Sequence, residues 1–370
     1  RSHSGQGDRN LRKRKIMSKP IIAAVIGCGN ISTFHFSGLQ RAGAQIKWVC
    51  DLHEAAARPW AEKFGARFTA DYREILADPE VNLVNVTSIA RTHKAMCLDA
   101  IAAGKAVICE KTLAENADDA FEIVKAAEDA GTIFYTSYMK RFLPAIEKAK
   151  ALLPQIGRIL TTHIRSHQPW GDGHWAATVA DEAGPKPTTP SGCVASYGGG
   201  ILTCGGSHTL DLALHFLGRP HRVYASAHTP ENKDYDLRAS ALMETPENGV
   251  VLFEALNHPL THAGFLRDGW DERIEITGAH GRLEVRTPNW NDVDTKASLL
   301  QHYDNRSGNL QEYRFDAESP FDRAMAFFCE NIAKGEQGAQ SQWTGYEADE
   351  LIAHIKKSAA SGQVEDIQWR

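Results

Sequence analysis

The sequence predicts an α/β protein in which an N-terminal doubly wound parallel sheet is followed by an α+β domain with a mainly antiparallel sheet. Three observations carry this. A chain of 370 residues is long for one hydrophobic core, so two domains are expected. Between residues 21 and 136, near-continuous apolar runs alternate with amphipathic stretches, the pattern of parallel strands covered on both faces. After about residue 153 the runs change to two-residue alternation, which suits strands with one face on a core.

Taken in order, residues 1–19, within "RSHSGQGDRNLRKRKIMSKP", are polar and lack an apolar face, so they read as a disordered leader or as residues upstream of a start at Met17. The run "RKRK" before "IIAAVIG" imitates a secretory signal, but the apolar run lasts only about eight residues and lacks a convincing cleavage site. It is better explained as a buried first strand. Further strands are expected at "IKWVC", "VNLVNVT", "AVIC" and "TIFYT", separated by helices such as "DDAFEIVKAAEDAG". This is repeated βαβ, and the right-handed crossover rule makes residues 20–140 a doubly wound unit.

A helix near 141–153 leads into the second unit, 141–370. Its expected strands are "RILTTHIRSH", "HRVYASAH", "GVVLFEAL", "ERIEITGA" and "GRLEVRT", with a Gly-flanked helix at about 200–217 and helices at the C-terminus. The segment from Gln168 to Gly200 is rich in Gly, Pro, Thr and Ser and too long for a plain connector, so it is expected to be functional or disordered.

The net charge of −5 gives no reason to expect a nucleic-acid or membrane partner outside the basic leader. No run approaches the roughly 18 apolar residues of a membrane span. Seven cysteines, odd in number and without a CxxC pair, fit a reducing cytoplasm better than a disulfide framework or a structural zinc site. Ten of the sixteen histidines lie between His163 and His280, which raises metal binding. Of the two HxxxH pairs, His163 with His167 falls in an expected strand, where four residues span about 13 Å, and His258 with His262 is interrupted by Pro259. No metal is expected.

The chemistry begins at "VIGCGNIS", directly after the first strand and opening the first helix. In a dinucleotide fingerprint the first glycine permits the tight turn, the second lets backbone approach the pyrophosphate, and the third only packs helix on strand. Gly27 and Gly29 fill the demanding roles, and Ser32 takes the third position. Asn30 and Ile31 complete the loop. The second strand ends in "WVCD", which puts Asp51 24 residues after Gly27, where a carboxylate accepts the ribose hydroxyls and repels a 2′-phosphate, favouring NAD over NADP. Glu110 and Lys111 stand at the carboxyl end of a later strand, the edge at which open α/β sheets bind ligands, so Lys111 is placed as an acid/base beside the cofactor.

With those residues in view, "AVIGCGNIS", "WVCD", "SIARTHKAMCLDAIAAGKAVICEKTLA", "YMKRFLPAIEKAK" and "GGGILTCGGSHTLDLALHFLG" resemble, in that order, the motifs of the Gfo/Idh/MocA family of NAD(P)-dependent oxidoreductases of sugars, inositols and related polyols. The resemblance implies a Rossmann domain, then an α+β domain whose large open sheet commonly builds a dimer or tetramer. Gly27, Gly29 and Asn30 match the phosphate loop, Asp51 the ribose acid, and Ser88 and His93 a nucleotide-side motif. Glu110 and Lys111 match the family's Glu-Lys-Pro, with Thr112 in place of proline; the lysine is the catalytic acid/base there. Tyr138, Arg141 and Pro144 match the segment leading into the second domain, and Tyr138 is assigned to the substrate side.

One departure matters. The family usually has an aspartate four residues before a histidine, forming the substrate-side proton relay. Here His208 is in place and Cys204 stands at the aspartate's position. On a helix the two are i and i+4 neighbours, and an uncharged thiol does not raise the imidazole's pKa as a carboxylate would, which suits His208 to accept a proton. A thiolate nucleophile, a Cys/His metal site and a core-facing Cys204 are the other readings of this pair. In the strand "RILTTHIRSHQPWGDGHW", period-2 alternation puts His163, Arg165 and His167 on one face, followed by Trp170 and Trp175. In relatives this strand faces the substrate, so Arg165, His167 and Trp170 are assigned to it.

The expected function is hydride transfer between NAD and a secondary hydroxyl of a sugar, sugar derivative or inositol-like polyol, with Lys111 and His208 taking the hydroxyl proton and Cys204 beside them. A homodimer or homotetramer in the cytoplasm is expected. Two rivals stand: a redox-neutral glycosidase or lyase that oxidises a sugar transiently with tightly held NAD, and a binding protein that keeps the nucleotide fold.

Overall fold

A computed structural model describes residues 19–169, 199–231 and 235–370. Strands β1 (Ile22–Ile26), β2 (Gln45–Cys50), β3 (Arg67–Thr69), β4 (Leu83–Val86), β5 (Ala106–Cys109) and β6 (Phe134–Thr136) form a sheet in the order β3-β2-β1-β4-β5-β6. All its pairs are parallel. Ala23, Ala24 and Val25 in the middle of β1 are wholly buried, as a strand covered on both faces must be. Helices α1 (Ser32–Arg41) and α2 (Glu54–Phe64) pack one face, α4 (Ala90–Ala102) and α5 (Ala117–Ala130) the other, and the short α3 (Tyr72–Leu76) joins β3 to β4. The strand order reverses between β1 and β4, which opens a crevice at their carboxyl ends.

After α6 (Pro144–Leu152) the second sheet gathers β7 (Ile159–Gln168), β8 (Arg222–His228), β9 (Arg238–Glu244), β10 (Val250–Asn257), β11 (Asp271–Gly278), β12 (Gly281–Thr287), β13 (Leu299–Asp304), β14 (Asn309–Arg314) and β15 (Glu365–Asp366). Its order is β14-β13-β12-β11-β7-β10-β9-β8-β15. Only β7 and β10 run parallel; the other pairs are antiparallel. One face is covered by α6, α7 (Ser207–Leu217) and α9 (Thr344–Ser361) through Ile146, Leu210 and Ile355. The other face is open, and Tyr224, Leu242 and Leu252 form an exposed cross-strand row on it.

The chain closes by returning to its start: α8 (Pro320–Lys334) packs on α1. The contact is so close that a Cβ on Gly38 would meet Met325 Cγ at 2.6 Å. Strands β3, β9, β13, β14 and the two-residue β15 lie outside the runs that the sequence pattern signals. The Ala, Met and Leu of "RASALME" have weak strand propensity, and β14 has no buried residue to produce alternation. The helix expected at about 200–217 is in fact a π-helical turn, Leu202–Gly206, followed by α7. π turns of this kind are frequent at functional sites.

Candidate active site

The nucleotide end is built from backbone. Gly27 sits at φ +100°, and a Cβ there would meet Ser88 N at 2.6 Å and Thr87 C at 2.7 Å, so no other residue fits the turn. Gly29 has open space where its Cβ would lie, leaving backbone approachable by a phosphate. Ser32 is buried, and its hydroxyl donates to Gly29 O at 2.6 Å; the residue in place of the third glycine therefore fastens the loop. Asp51 Oδ2 accepts from Cys28 N and Oδ1 from His53 N, both at 2.8 Å, which fixes the carboxylate at the end of β2 beside the phosphate turn. The cradle at Gly27 and Gly29, the start of α1 and this carboxylate fit a dinucleotide with its pyrophosphate on the loop.

His93 does not face this crevice. It is 1% exposed, with Nδ1 3.1 Å from Thr112 O and Nε2 3.0 Å from Ser88 O. It ties Ser88 to the loop after Lys111, a strut rather than a nucleotide contact.

Lys111 follows β5. The Glu110 side chain turns inward: His35 Nε2 lies 2.8 Å from Oε1, and Lys111 N donates to Oε2 at 3.1 Å. Burial alone would raise the Glu110 pKa, but the His35 hydrogen bond and the charges of His35 and Lys111 hold it below the ordinary carboxylate range. His35 is in turn 3.1 Å from Asn85 Oδ1. On the far side Asp349 of α9 accepts from Ala114 N at 2.9 Å, and burial pushes its carboxyl up to about 8. The lysine itself reaches across to the second domain, where Nζ donates to Cys204 O at 3.0 Å. Ser207 Oγ donates to the same carbonyl at 3.1 Å.

Cys204 and His208 share the resulting cleft, about 460 Å³ with its mouth, together with Ile31, Glu110 and Lys111. The structure therefore sets aside a purely core-facing Cys204. Burial first, then the positive charges of Lys111 and Lys140, drive the His208 pKa well below that of an ordinary histidine. Its Nδ1 has no hydrogen-bond partner among the described residues. The imidazole is a neutral proton acceptor at physiological pH.

Three substrate-side expectations are corrected. Along β7 the buried residues are Thr162, Ile164, Ser166 and Gln168, while His163, Arg165 and His167 face the other way. The two-residue alternation holds along β7, with the covered face opposite to the one expected. Arg165 is ion-paired with Asp271 at 3.1 Å and His167 stands 3.2 Å from Glu254; neither lines the cleft. Tyr138 is wholly buried behind His208, with ring centroids 5.8 Å apart at 87°, so it backs the imidazole instead of facing a substrate. Trp170, Trp175 and most of the Gln168–Gly200 segment lie outside the described residues.

The residues that the sequence pattern did not single out are Lys140, Gln168, Trp270 and Trp290, all lining the cleft. Lys140 is buried on Glu272, which also accepts from Ser166 Oγ at 3.1 Å and Thr287 Oγ1 at 2.8 Å. Glu272 and its two hydroxyl donors form one cross-strand row, Ser166 to Glu272 to Thr287. A lysine inside the quoted run "YMKRFLP" was a visible signal; its carboxylate partner, 132 positions away, was not. Arg141, by contrast, is structural: it grips the wholly buried Asp211 of α7 through Nε at 2.9 Å and Nη2 at 2.6 Å.

Family models match the two halves of the chain: an oxidoreductase family with an NAD-binding Rossmann fold over residues 21–138, and the Gfo/Idh/MocA C-terminal domain over residues 146–284. The chain belongs to the Gfo/Idh/MocA oxidoreductase family. It is an enzyme of oxidation and reduction whose first domain binds NAD. Relatives include inositol 2-dehydrogenase 2 of Saccharopolyspora erythraea, 28% identical with 93% of this chain and 94% of the relative covered. Inositol 2-dehydrogenase of Burkholderia cenocepacia is also 28% identical, covering 93% and 95%. Among solved structures, levoglucosan dehydrogenase with NADH and levoglucosan superposes with TM-score 0.78 at 20% identity, over 95% of this chain and all of that one. An oxidoreductase domain protein of Kribbella flavida superposes equally well, TM-score 0.78 at 23% identity, with 95% and 100% covered. These likenesses show the fold. Among the described residues no group of three or more His, Cys, Asp or Glu is placed to hold a metal ion, and no helix is long and apolar enough to cross a membrane.

Proposed function

We propose that this enzyme moves a hydride between NAD and a secondary hydroxyl of a sugar, sugar derivative or inositol-like polyol. The single observation that carries the reading is the bond from Lys111 Nζ to Cys204 O, because it draws the lysine at the end of the parallel sheet and His208 of the second domain to one cleft. The relatives named inositol 2-dehydrogenase support the substrate class.

Gly27, Gly29, Asn30 and Ile31 would hold the pyrophosphate side of NAD, with Asp51 on the ribose and Ser88 and Glu110 flanking; bound there, NAD would supply the hydride acceptor. His208, kept neutral, takes the hydroxyl proton. Lys111 holds the oxygen and stabilises the negative charge that develops as that proton leaves. Trp270 and Trp290 offer apolar faces to the C–H surface of a ring. Cys204, within the turn that leads to His208, sits against the same oxygen without adding a carboxylate to the relay.

The open row Tyr224, Leu242 and Leu252 supports a homodimer or homotetramer assembled through the second sheet. The free thiols of Cys28, Cys50, Cys97, Cys109, Cys204 and Cys329 support a cytoplasmic setting. The test is a screen of sugars and cyclitols read as NADH absorbance. Stoichiometric NADH is the expected result; product formed without NADH accumulation would instead favour transient oxidation and cleavage.

A further inference from the structure

We propose that His35 and Glu110 form a buried dyad that holds a negative charge at the nicotinamide end of the crevice, so that NAD binds more tightly relative to NADH than it would without them. His35 is the positioning residue of the pair. The proposal rests on the NAD placement given above and does not depend on which substrate is oxidised.

The topology puts Glu110 at that end. Strands β2, β1, β4 and β5 lie side by side in the parallel sheet, and the residues that directly follow them are Asp51, Gly27, Thr87 and Glu110. With a ribose on Asp51 and the pyrophosphate on the turn at Gly27, the other half of a dinucleotide extends over the ends of β4 and β5. Glu110 lines the cleft there beside Lys111. An oxidised nicotinamide ring carries a positive charge and a reduced ring none, so a charge at this place acts on the difference between the two forms.

The charge count points the same way. Lys140 is matched by Glu272, whose two oxygens both accept from it. Among the described residues lining the cleft Glu110 is the one carboxylate, and it faces both Lys111 and the incoming ring. A carboxylate that is 5% exposed stays ionised only with donors. Glu110 has two: Lys111 N donates to Oε2 at 3.1 Å, and His35 Nε2 lies 2.8 Å from Oε1. A carboxylate accepts and does not donate, so Nε2 carries the proton of that bond. Burial pushes the Glu110 carboxyl up, and the His35 hydrogen bond is the largest influence bringing it down, ahead of Lys111.

His35 is itself wholly buried, with Asn85 Oδ1 3.1 Å from Nδ1 and the Phe321 ring centred 6.4 Å away. It reaches neither cofactor nor substrate and acts through Glu110. It stands on α1, so the helix that opens at the phosphate loop also fixes the carboxylate. The other titratable groups around Glu110 are Lys111, His93 of α4 and Cys109 of β5. Burial pushes His93 down and Cys109 well up, so both are uncharged near neutral pH.

Calorimetric titration of the full chain with NAD and with NADH, at about pH 6 and about pH 8.5, tests this without any substrate. Glu110→Gln should weaken NAD binding by at least about tenfold while NADH binding stays near parental. His35→Phe should do the same at the lower pH and regain part of the loss at the higher one, as the carboxyl ionises without its donor. The parental ratio of the two affinities should be equal at both. His35→Gln, whose amide still donates to Oε1, should restore that ratio. An unchanged ratio in Glu110→Gln overturns the proposal, and so does an equal fall in both affinities, which marks a merely structural role. A parental ratio in His35→Phe at both pH values, or a lowered ratio that does not respond to pH, also overturns it. Each of these leaves the NAD placement standing; failure of the parent to bind NADH would overturn that placement itself.

Discussion

The two ends of the cleft are made differently. At the nucleotide end, backbone decides: Gly27 at φ +100° with Ser88 N where its Cβ would be, a carboxylate held by two amides, and the first turn of α1. At the substrate end, side chains from the residues after β5, the 139–142 turn, the end of β7, Trp270 just before β11 and the 202–208 segment converge from distant parts of the chain. The first kind of site tolerates few residues and writes them close together. The second tolerates many solutions, and its specificity depends on which solution a chain has adopted.

The contrast can be broken most sharply at Lys111, whose side chain crosses between the ends to Cys204 O. Lys111→Met should lower turnover by roughly 10² to 10⁴ while NADH affinity, measured by fluorescence titration, stays near parental. Turnover within a few-fold of the parent would remove the lysine from the chemistry. Next in size, Gly27→Ala should weaken NADH binding by roughly 10- to 100-fold, because strain and the Ser88 clash fall on the loop alone. A variant that binds NADH normally would show the loop to be more pliant than its geometry allows. A smaller effect is expected at Asp51→Ser, which should shrink the preference for NAD over NADP by about tenfold, read as the ratio of kcat/KM values.

These expectations also mark what the sequence made legible. Periodicity and the glycine turn exposed the parallel sheet, the phosphate loop and Asp51 because each depends on neighbours in the chain. Lys111 and His208 were legible as positions, although the bond that unites them passes through a backbone carbonyl 93 residues away. Arg165 and His167 were misplaced because two-residue alternation fixes which residues share a face and not which face is covered; here α7 and its π turn cover the side of Ser166 and Gln168. The Lys140–Glu272 pair and the His35–Glu110 contact join residues with no common motif, so only the folded chain reveals them.

The smallest effect concerns Asp349, which supports the lysine loop from the C-terminal helix. Burial raises its carboxyl to about 8, so the folded state keeps a proton that the unfolded chain releases near pH 4. Between those values folding stability falls as pH rises. Asp349→Asn keeps an acceptor for Ala114 N and removes that dependence. Its melting temperature should exceed the parental value by more at pH 8 than at pH 5; a difference independent of pH would contradict the assignment.

The central claim is that a neutral His208 takes the proton at a cleft that lacks a carboxylate relay, and a pH–rate comparison of the parent with Cys204→Asp tests it most directly. The oxidation rate under saturating NAD should hold in the parent to well below pH 6.5, since the imidazole stays uncharged there. A carboxylate at position 204 favours the imidazolium, so the acidic limb should move to higher pH in the variant. An acidic limb at the same pH in both proteins, with parental activity in the variant, would contradict the account.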